Sequence, residues 1–113
     1  MSHVTTHVLD TALGRPAAGV QVVLEAADAT RTRWSPIASG ITDADGRITD
    51  LGPDRLSAGV HRLVFDTGRY FADTGRTGFY PEVTVAFDLT DEDAHHHVPL
   101  LLSPFGYSTY RGS

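Results

Sequence analysis

The chain of 113 residues contains no cysteine, no lysine and no asparagine. The absence of cysteine excludes disulfides and thiolate nucleophiles, and the absence of lysine excludes Schiff-base chemistry. Any chemistry must therefore come from histidine, arginine, carboxylate, hydroxyl or phenol side chains.

Long apolar runs and an excess of positive charge are also missing. No stretch approaches the length of a membrane span, and the first six residues lack the basic segment and apolar run of a signal peptide. The net charge is -5 and the arginines are scattered, which argues against a surface for nucleic acid. We expect a cytoplasmic protein with a single domain over 1–113 that binds neither nucleic acid nor membranes.

Alternation of apolar and polar residues with period two dominates the chain, and turn residues separate the runs. This pattern predicts an all-β sandwich or barrel of about eight strands with one short helix. A turn is predicted at 13–16 and a tight Asp-Gly turn at 43–46. The predicted strands are 3–9, 20–27, 34–42, 47–49, 60–66, 82–87, 95–102 and 107–111, and the helix is 67–74.

Histidines recur at strand spacing in two of these runs. In the run that begins at His95, the alternation that turns Val98 inward turns His95 and His97 outward. In the first run, the alternation that buries Val8 leaves His7 on the outer face. Two separate strands are therefore predicted to present imidazoles on the outside of a sheet.

The polar residues near these histidines favour hydrolysis. A pair of imidazoles can activate water and then return the proton to a leaving nitrogen. Arg47 and Arg111 supply fixed positive charge for a planar, electron-rich substrate and for a developing oxyanion. Tyr110 and Ser113 supply directional hydrogen bonds. The set fits non-covalent hydrolysis of an amide-like bond.

Each side chain also has a purely structural interpretation. A lone strand histidine such as His7 is usually a surface or hydrogen-bonded residue, Arg47 is compatible with a solvated hairpin position, and Ser113 with a disordered tail.

A metal site is a further alternative. His95 and His97 at strand spacing, together with His7, are compatible with zinc ligation. No motif of cysteine, or of histidine with carboxylate, supports it. We therefore predict no metal.

Several motifs together resemble one known family, the transthyretin-related 5-hydroxyisourate hydrolases of urate degradation. The resemblance covers essentially the whole chain, and its most specific part is the C-terminal Tyr-Arg-Gly-Ser. The matching segments are Thr6-His7-Val8-Leu9-Asp10, Gly14-Arg15-Pro16-Ala17, Thr42-Asp43-Ala44-Asp45-Gly46-Arg47, Phe79-Tyr80-Pro81-Glu82-Val83 and the stretches 95–104 and 107–113.

The resemblance implies a catalytic centre of His7, Arg47 and His97. It implies that the substrate is bound by His7 and Arg47 together with Tyr110, Arg111, Gly112 and Ser113. It also implies a prealbumin-like β-sandwich, a homotetramer with active sites between dimers, and no cofactor. The implied reaction is hydrolysis of 5-hydroxyisourate to 2-oxo-4-hydroxy-4-carboxy-5-ureidoimidazoline, with His97 and His7 activating water and Arg47 stabilising the developing charge.

Two non-enzymatic alternatives share these hairpins. One is a transthyretin-like binder of small ligands, from which the polar set of His7, Arg47 and His97 distinguishes the hydrolases. The other is a structural module of the carboxypeptidase-regulatory or collagen-adhesin type, which usually lies within long secreted chains.

Overall fold

Two β-sheets and one short helix make up the structure, a computed structural model that describes residues 2–90 and 92–113. In chain order the elements are β1 (Val4–Asp10), β2 (Arg15–Pro16), β3 (Gln21–Ala27), β4 (Trp34–Ile41), β5 (Arg47–Ile48), β6 (Gly59–Phe65), α1 (Thr67–Asp73), β7 (Val83–Leu89), β8 (His96–Ser103) and β9 (Gly106–Thr109). The expected all-β architecture with one helix is confirmed. In the described part of the chain, no helix has the length and apolar character needed to span a bilayer.

The first sheet is organised around a parallel pair. Its strand order is β2-β1-β8-β9, and β5 pairs with β1 beside β2. Strands β1 and β8 run parallel, with Val4 opposite His96 and Asp10 opposite Leu102. The second sheet has the order β4-β3-β6-β7, and each of its pairs is antiparallel.

Inward-facing residues of both sheets form the apolar core, as the period-two pattern requires. Val8 and Leu100 from the first sheet are fully buried with Leu24, Leu63 and Phe65 from the second. Because Val98 and Leu100 are buried, their neighbours on β8 are directed to the outer face of the first sheet.

The helix is fixed to β1 by a buried carboxylate. Asp66 caps α1 by accepting a hydrogen bond from the backbone N–H of Arg69 at 3.2 Å. Tyr70 is buried and donates a hydrogen bond of 2.7 Å to Asp10, whose side chain is fully buried. Arg76, beyond the helix, forms an ion pair with the same carboxylate. The helix therefore holds the end of β1 that lies next to β2.

The predicted helix and all eight predicted strands are present, each with ends within two residues of the prediction. Two differences have a structural explanation, and the first is an additional strand. The sequence pattern assigns Arg15 and Pro16 to a turn, whereas they form β2. The turn is tighter than expected because Gly14 adopts a φ of +69° and its N–H donates to Asp10, so Arg15 already lies opposite Asp10.

The second difference is at β9, which ends at Thr109 rather than at residue 111. Its register places Leu100 opposite Thr109, so the next position of β8 is Pro99. Proline has no N–H and cannot donate to a partner strand, which interrupts the ladder. Pairing returns in the same register at one bridge between His97 and Gly112.

Candidate active site

A tight turn places Arg47 beside the first strand. The carboxylate of Asp43 accepts hydrogen bonds from the backbone N–H groups of Asp45 at 2.9 Å and Arg47 at 3.0 Å, and Gly46 adopts a φ of +74°. A Cβ on Gly46 would lie 2.4 Å from the carbonyl oxygen of Val8, so only glycine fits there. Arg47 is exposed on the outer face, as its side-chain direction in β5 requires.

His7 lies directly opposite Arg47 in the pairing of β1 with β5. Its Nε2 is 3.0 Å from the carbonyl oxygen of Asp45. Because a carbonyl oxygen only accepts, Nε2 carries a proton, so in the neutral form of the ring the lone pair lies on Nδ1. The turn that presents Arg47 therefore also selects the tautomer of a neutral His7 ring.

His97 is brought to the same face by the parallel pairing of β1 with β8. Thr5 lies opposite His97 in this register, and its hydroxyl oxygen is 2.7 Å from Nδ1 of His97. The same oxygen is 2.9 Å from Nε2 of His95, just before β8 begins. His97 is half-buried and His95 is exposed.

His97 has a lowered pKa. Burial disfavours its charged form, and the charges of Arg47, His7 and His95 add to this effect, so the pKa of His97 lies below the ordinary value of 6.5. The ring is therefore mainly neutral near pH 7, which is the form that can accept a proton from water.

The C-terminal tail closes over the ring of His97. The N–H of Gly112 donates to the carbonyl oxygen of His97 at 2.9 Å. A Cβ on Gly112 would lie 2.5 Å from Cδ2 of His97 and 3.2 Å from Cγ of Pro99. Glycine at this position thus lets the tail backbone contact the imidazole directly.

Two depressions include His97 in their lining. The first has a volume of about 260 Å³ and is lined by Thr5, Thr6, Arg47, Thr49, His95, His97 and Ser113. The second, of about 300 Å³, is formed by β7, β8 and the tail and includes Tyr110 and Arg111 beside His97. Arg47 and Ser113 therefore share one depression with His97, and Tyr110 and Arg111 share the other. His7 lines neither depression and is placed by its pairing with Arg47.

A match to a protein-family model identifies the family. The model described as the HIUase/Transthyretin family matches residues 4–112. The chain belongs to the HIUase/Transthyretin family.

Relatives in this family include 5-hydroxyisourate hydrolases. The chain is 46% identical over 110 residues to the one from Salmonella dublin, covering 96% of this chain and 79% of that protein. It is 46% identical over 113 residues to the one from Mus musculus, covering 99% and 96%.

Among solved structures, the 5-hydroxyisourate hydrolase of Klebsiella pneumoniae superimposes with a TM-score of 0.85 at 37% identity, covering 97% of this chain and 98% of that one. The prealbumin-like fold of this HIUase/Transthyretin chain is therefore confirmed.

The zinc hypothesis finds no support in this member of the HIUase/Transthyretin family. Across residues 2–90 and 92–113, no three histidine, cysteine, aspartate or glutamate side chains are grouped closely enough to hold a metal ion. Nδ1 of His97 and Nε2 of His95 lie within hydrogen-bond distance of the hydroxyl of Thr5.

Sequence reasoning did not select Thr5 or Thr49 as site residues. The signal for Thr5 is present in the first strand, because period-two alternation puts it on the same face as His7. What the pattern does not contain is the pairing partner, since His97 lies 92 positions further along the chain.

Proposed function

We propose that this protein hydrolyses 5-hydroxyisourate to 2-oxo-4-hydroxy-4-carboxy-5-ureidoimidazoline. The observation that carries the proposal is the position of a neutral, half-buried His97 in one pocket with Arg47 and Ser113. That pocket pairs a proton acceptor with a fixed cation, which is what attack of water on an amide carbonyl needs. The hydrolase names of close relatives in this family support the same substrate.

In the proposed mechanism, His97 removes a proton from water, and the resulting hydroxide attacks a ring carbonyl of the substrate. Arg47 stabilises the oxyanion of the tetrahedral intermediate. His7 contributes the lone pair on Nδ1 and helps to orient the water. Collapse of the intermediate then breaks the carbon–nitrogen bond, and the leaving nitrogen takes up a proton. No cofactor takes part in these steps.

The tail residues are proposed to bind the substrate away from the reacting carbonyl. Ser113 shares the pocket of Arg47, whereas Tyr110 and Arg111 line the adjoining depression. A planar ring seated against His97 borders both depressions, so Tyr110 and Arg111 can hydrogen-bond its far edge. Gly112 keeps the tail backbone against His97.

A turnover assay tests the function. The substrate is generated freshly from urate with urate oxidase, and its ultraviolet decay is followed with and without the protein. Because 5-hydroxyisourate also decays spontaneously, the expected result is an acceleration proportional to protein concentration. A decay rate independent of added protein overturns the proposal.

Two substitutions test the assigned roles in that assay. We expect His97→Ala to lower kcat about 10²- to 10⁴-fold, the usual contribution of a general base. Arg47→Gln is expected to lower kcat about 10²- to 10³-fold through loss of oxyanion stabilisation. Arg15→Gln is the matched control, because Arg15 is also exposed on a two-residue strand paired with β1. Near-normal turnover of His97→Ala would refute its role.

We also propose a homotetramer with active sites between its dimers. Strands β9 and β7 end their respective sheets, and open strand edges readily pair with another chain. Phe79 and Phe105 are exposed by 68% and 73%, and the N–H of Phe79 donates to the carbonyl of Pro104 in the β8–β9 turn. These aromatic side chains form an apolar surface beside the open edge of β9.

Light scattering coupled to gel filtration tests the assembly, with an expected mass four times that of the chain. Phe79→Glu is expected to lower this mass, and Ile41→Glu, at an exposed site of the other sheet, is the control. A monomer at micromolar concentration contradicts the tetramer.

The remaining parts of the proposal concern domain organisation and location. We propose one domain over 1–113, active in the cytoplasm and without nucleic-acid or membrane partners. The family match over 4–112 and the net charge of -5 support it. A fluorescent fusion in the source cells tests the location.

A non-enzymatic binder of small ligands is the alternative function. The observation that favours it is the superposition on sea bream transthyretin in complex with thyroxine, with a TM-score of 0.90 and 37% identity, covering 96% of this chain and 93% of that one. Calorimetric titration with thyroxine separates the two. Tight binding without hydrolysis supports the alternative, and hydrolysis without binding excludes it.

A further inference from the structure

A single hydroxyl group lies between two imidazoles beside the proposed catalytic pocket. Oγ1 of Thr5 is 2.7 Å from Nδ1 of His97 and 2.9 Å from Nε2 of His95. Thr5 is buried, with 3% of its surface exposed, while His97 is half-buried and His95 is exposed. The three groups therefore form a continuous path from the pocket to solvent.

The hydroxyl of Thr5 links the protonation of His97 to that of His95. A threonine hydroxyl has one proton to donate, so it can donate to only one of the two ring nitrogens. The other nitrogen must then donate to Thr5. If Nδ1–H of His97 donates to Thr5, the hydroxyl donates to Nε2 of His95, and Nε2 of His97 is left with its lone pair. Reversing both bonds puts the proton of His97 on Nε2 instead.

We propose that Thr5 and His95 are positioning residues that relay the proton which His97 removes from water. This inference rests on the proposed hydrolase function and assigns roles to two residues outside its catalytic set. In the first step, Nε2 of His97 takes a proton from water as hydroxide adds to the carbonyl. Nδ1–H of His97 passes to Oγ1 of Thr5, and the hydroxyl proton of Thr5 passes to Nε2 of His95, which becomes imidazolium.

The reverse transfer completes the cycle. The imidazolium of His95 returns a proton to Thr5, Thr5 protonates Nδ1 of His97, and Nε2–H of His97 protonates the leaving nitrogen as the carbon–nitrogen bond breaks. Every proton is accounted for, and the three groups end in their starting state.

The surroundings of His97 favour passing the charge along the path. Burial and the neighbouring charges of Arg47, His7 and His95 disfavour an imidazolium at His97. Ser113, from the tail, lines the same pocket. His95 is exposed to water, which solvates its charged form. The path therefore leads from a half-buried ring to an exposed one.

A purely structural bridge by Thr5 is the competing explanation, and matched variants separate the two. Thr5→Val removes the hydroxyl and keeps the shape, whereas Thr5→Ser keeps the hydroxyl. His95→Gln keeps hydrogen-bonding groups beside Thr5 but cannot take up a proton, and His95→Ala removes both. Thr84→Val, at an exposed position of β7, is the control.

In the 5-hydroxyisourate assay, we expect Thr5→Val, His95→Gln and His95→Ala to lower kcat about 10- to 100-fold with little change in KM, a smaller loss than the roughly 10²- to 10⁴-fold of a direct general base. Thr5→Ser should retain turnover. Added imidazole should restore His95→Ala in proportion to its concentration. Wild-type turnover in His95→Gln overturns the relay while leaving the hydrolase function intact.

Histidine NMR provides a readout that does not depend on turnover. Long-range proton–nitrogen spectra of the free protein should show His97 protonated on Nδ1 and His95 unprotonated on Nε2, with the proton of His97 redistributed in Thr5→Val. If His97 instead carries its proton on Nε2 and His95 is protonated on Nε2, and neither changes in Thr5→Val, the proposed coupling of the two rings through Thr5 is overturned. If the wild-type protein has no turnover, both the proposed function and the relay are overturned. If the wild type and His95→Gln are equally active, only the relay is overturned.

Discussion

The phenol of Tyr70 donates a hydrogen bond of 2.7 Å to Oδ2 of Asp10 and so joins the helix to the first strand. We predict that Tyr70→Phe lowers the free energy of unfolding by about 1–3 kcal/mol, because a buried carboxylate loses a donor. Urea denaturation measures the change. Tyr107→Phe, at an exposed ring, is the control and should unfold like the wild type. Equal stability of both variants would contradict the prediction.

The same carboxylate predicts how stability depends on acid. Burial acts to raise the pKa of Asp10, but hydrogen bonds from Arg76, Tyr70 and the N–H of Leu13 outweigh it, and the pKa lies below the usual value. A lowered pKa stabilises the folded state above the unfolded pKa of about 3.9, and this stabilisation is lost as pH falls through the folded value.

Asp10→Asn should therefore be less stable than the wild type near neutrality, and its stability should fall less steeply in acid. Urea denaturation at a series of pH values below about 5 measures this slope. Asp50→Asn, at an exposed carboxylate, is the control. Parallel curves for the wild type and Asp10→Asn would show that Asp10 does not contribute to the acid dependence.

The ring of His97 should titrate below pH 6.5 because of burial and the charges around it. Removing one of those charges in Arg47→Gln should raise the pKa of His97, since an imidazolium is then repelled less. NMR titration of the Cε1 proton measures both values, with Arg15→Gln as the control. For the wild type, kcat/KM should decline only as pH falls through this lowered pKa. A pKa unchanged in Arg47→Gln would count against the electrostatic coupling.

Gly112 should tolerate no side chain. In Gly112→Ala, the new Cβ would lie 2.5 Å from Cδ2 of His97, so either the tail or the ring must move. We expect kcat/KM to fall about tenfold or more, because a displacement on the order of 1 Å misaligns a catalytic group. Gly106→Ala is the matched control, since its Cβ would meet only Oγ of Ser103 at 3.7 Å. Equal activity of the two variants would remove the proposed contact from the mechanism.

Gly46 and Gly19 both have positive φ, but only Gly46 is crowded. Gly19→Ala should cost about 1–2 kcal/mol, the strain of a left-handed residue. Gly46→Ala should cost about 1–3 kcal/mol more, because its Cβ collides with the carbonyl oxygen of Val8. Denaturation measures both, and a crystal structure of Gly46→Ala should show Arg47 displaced. If Gly46→Ala and Gly19→Ala lower the free energy of unfolding equally, the turn at Gly46 accommodates the new Cβ without added strain.

Much of this arrangement can be read from local patterns. Alternation alone separates His95 and His97 from the buried Val98, and the Asp-Gly turn before Arg47 forms as predicted. These features depend on neighbouring residues, and strand periodicity and turn chemistry describe neighbours well.

The rest depends on which distant strands meet. The parallel pairing that puts Thr5 between His95 and His97 leaves no trace in either segment, because a period-two pattern specifies a face and not a partner. The early end of β9 follows from Pro99, but only once the register of β8 and β9 is known, because that register puts Pro99 opposite Tyr110.

Thr5 and His97 belong to β1 and β8, which are flanked by other strands on both sides in their sheet. Separating these two strands breaks contacts between segments about 90 residues apart, so local fraying at the sheet margin does not reach them. The amides of this pair should therefore exchange with deuterium only through global unfolding. On heating, turnover should persist up to the melting transition and vanish with it.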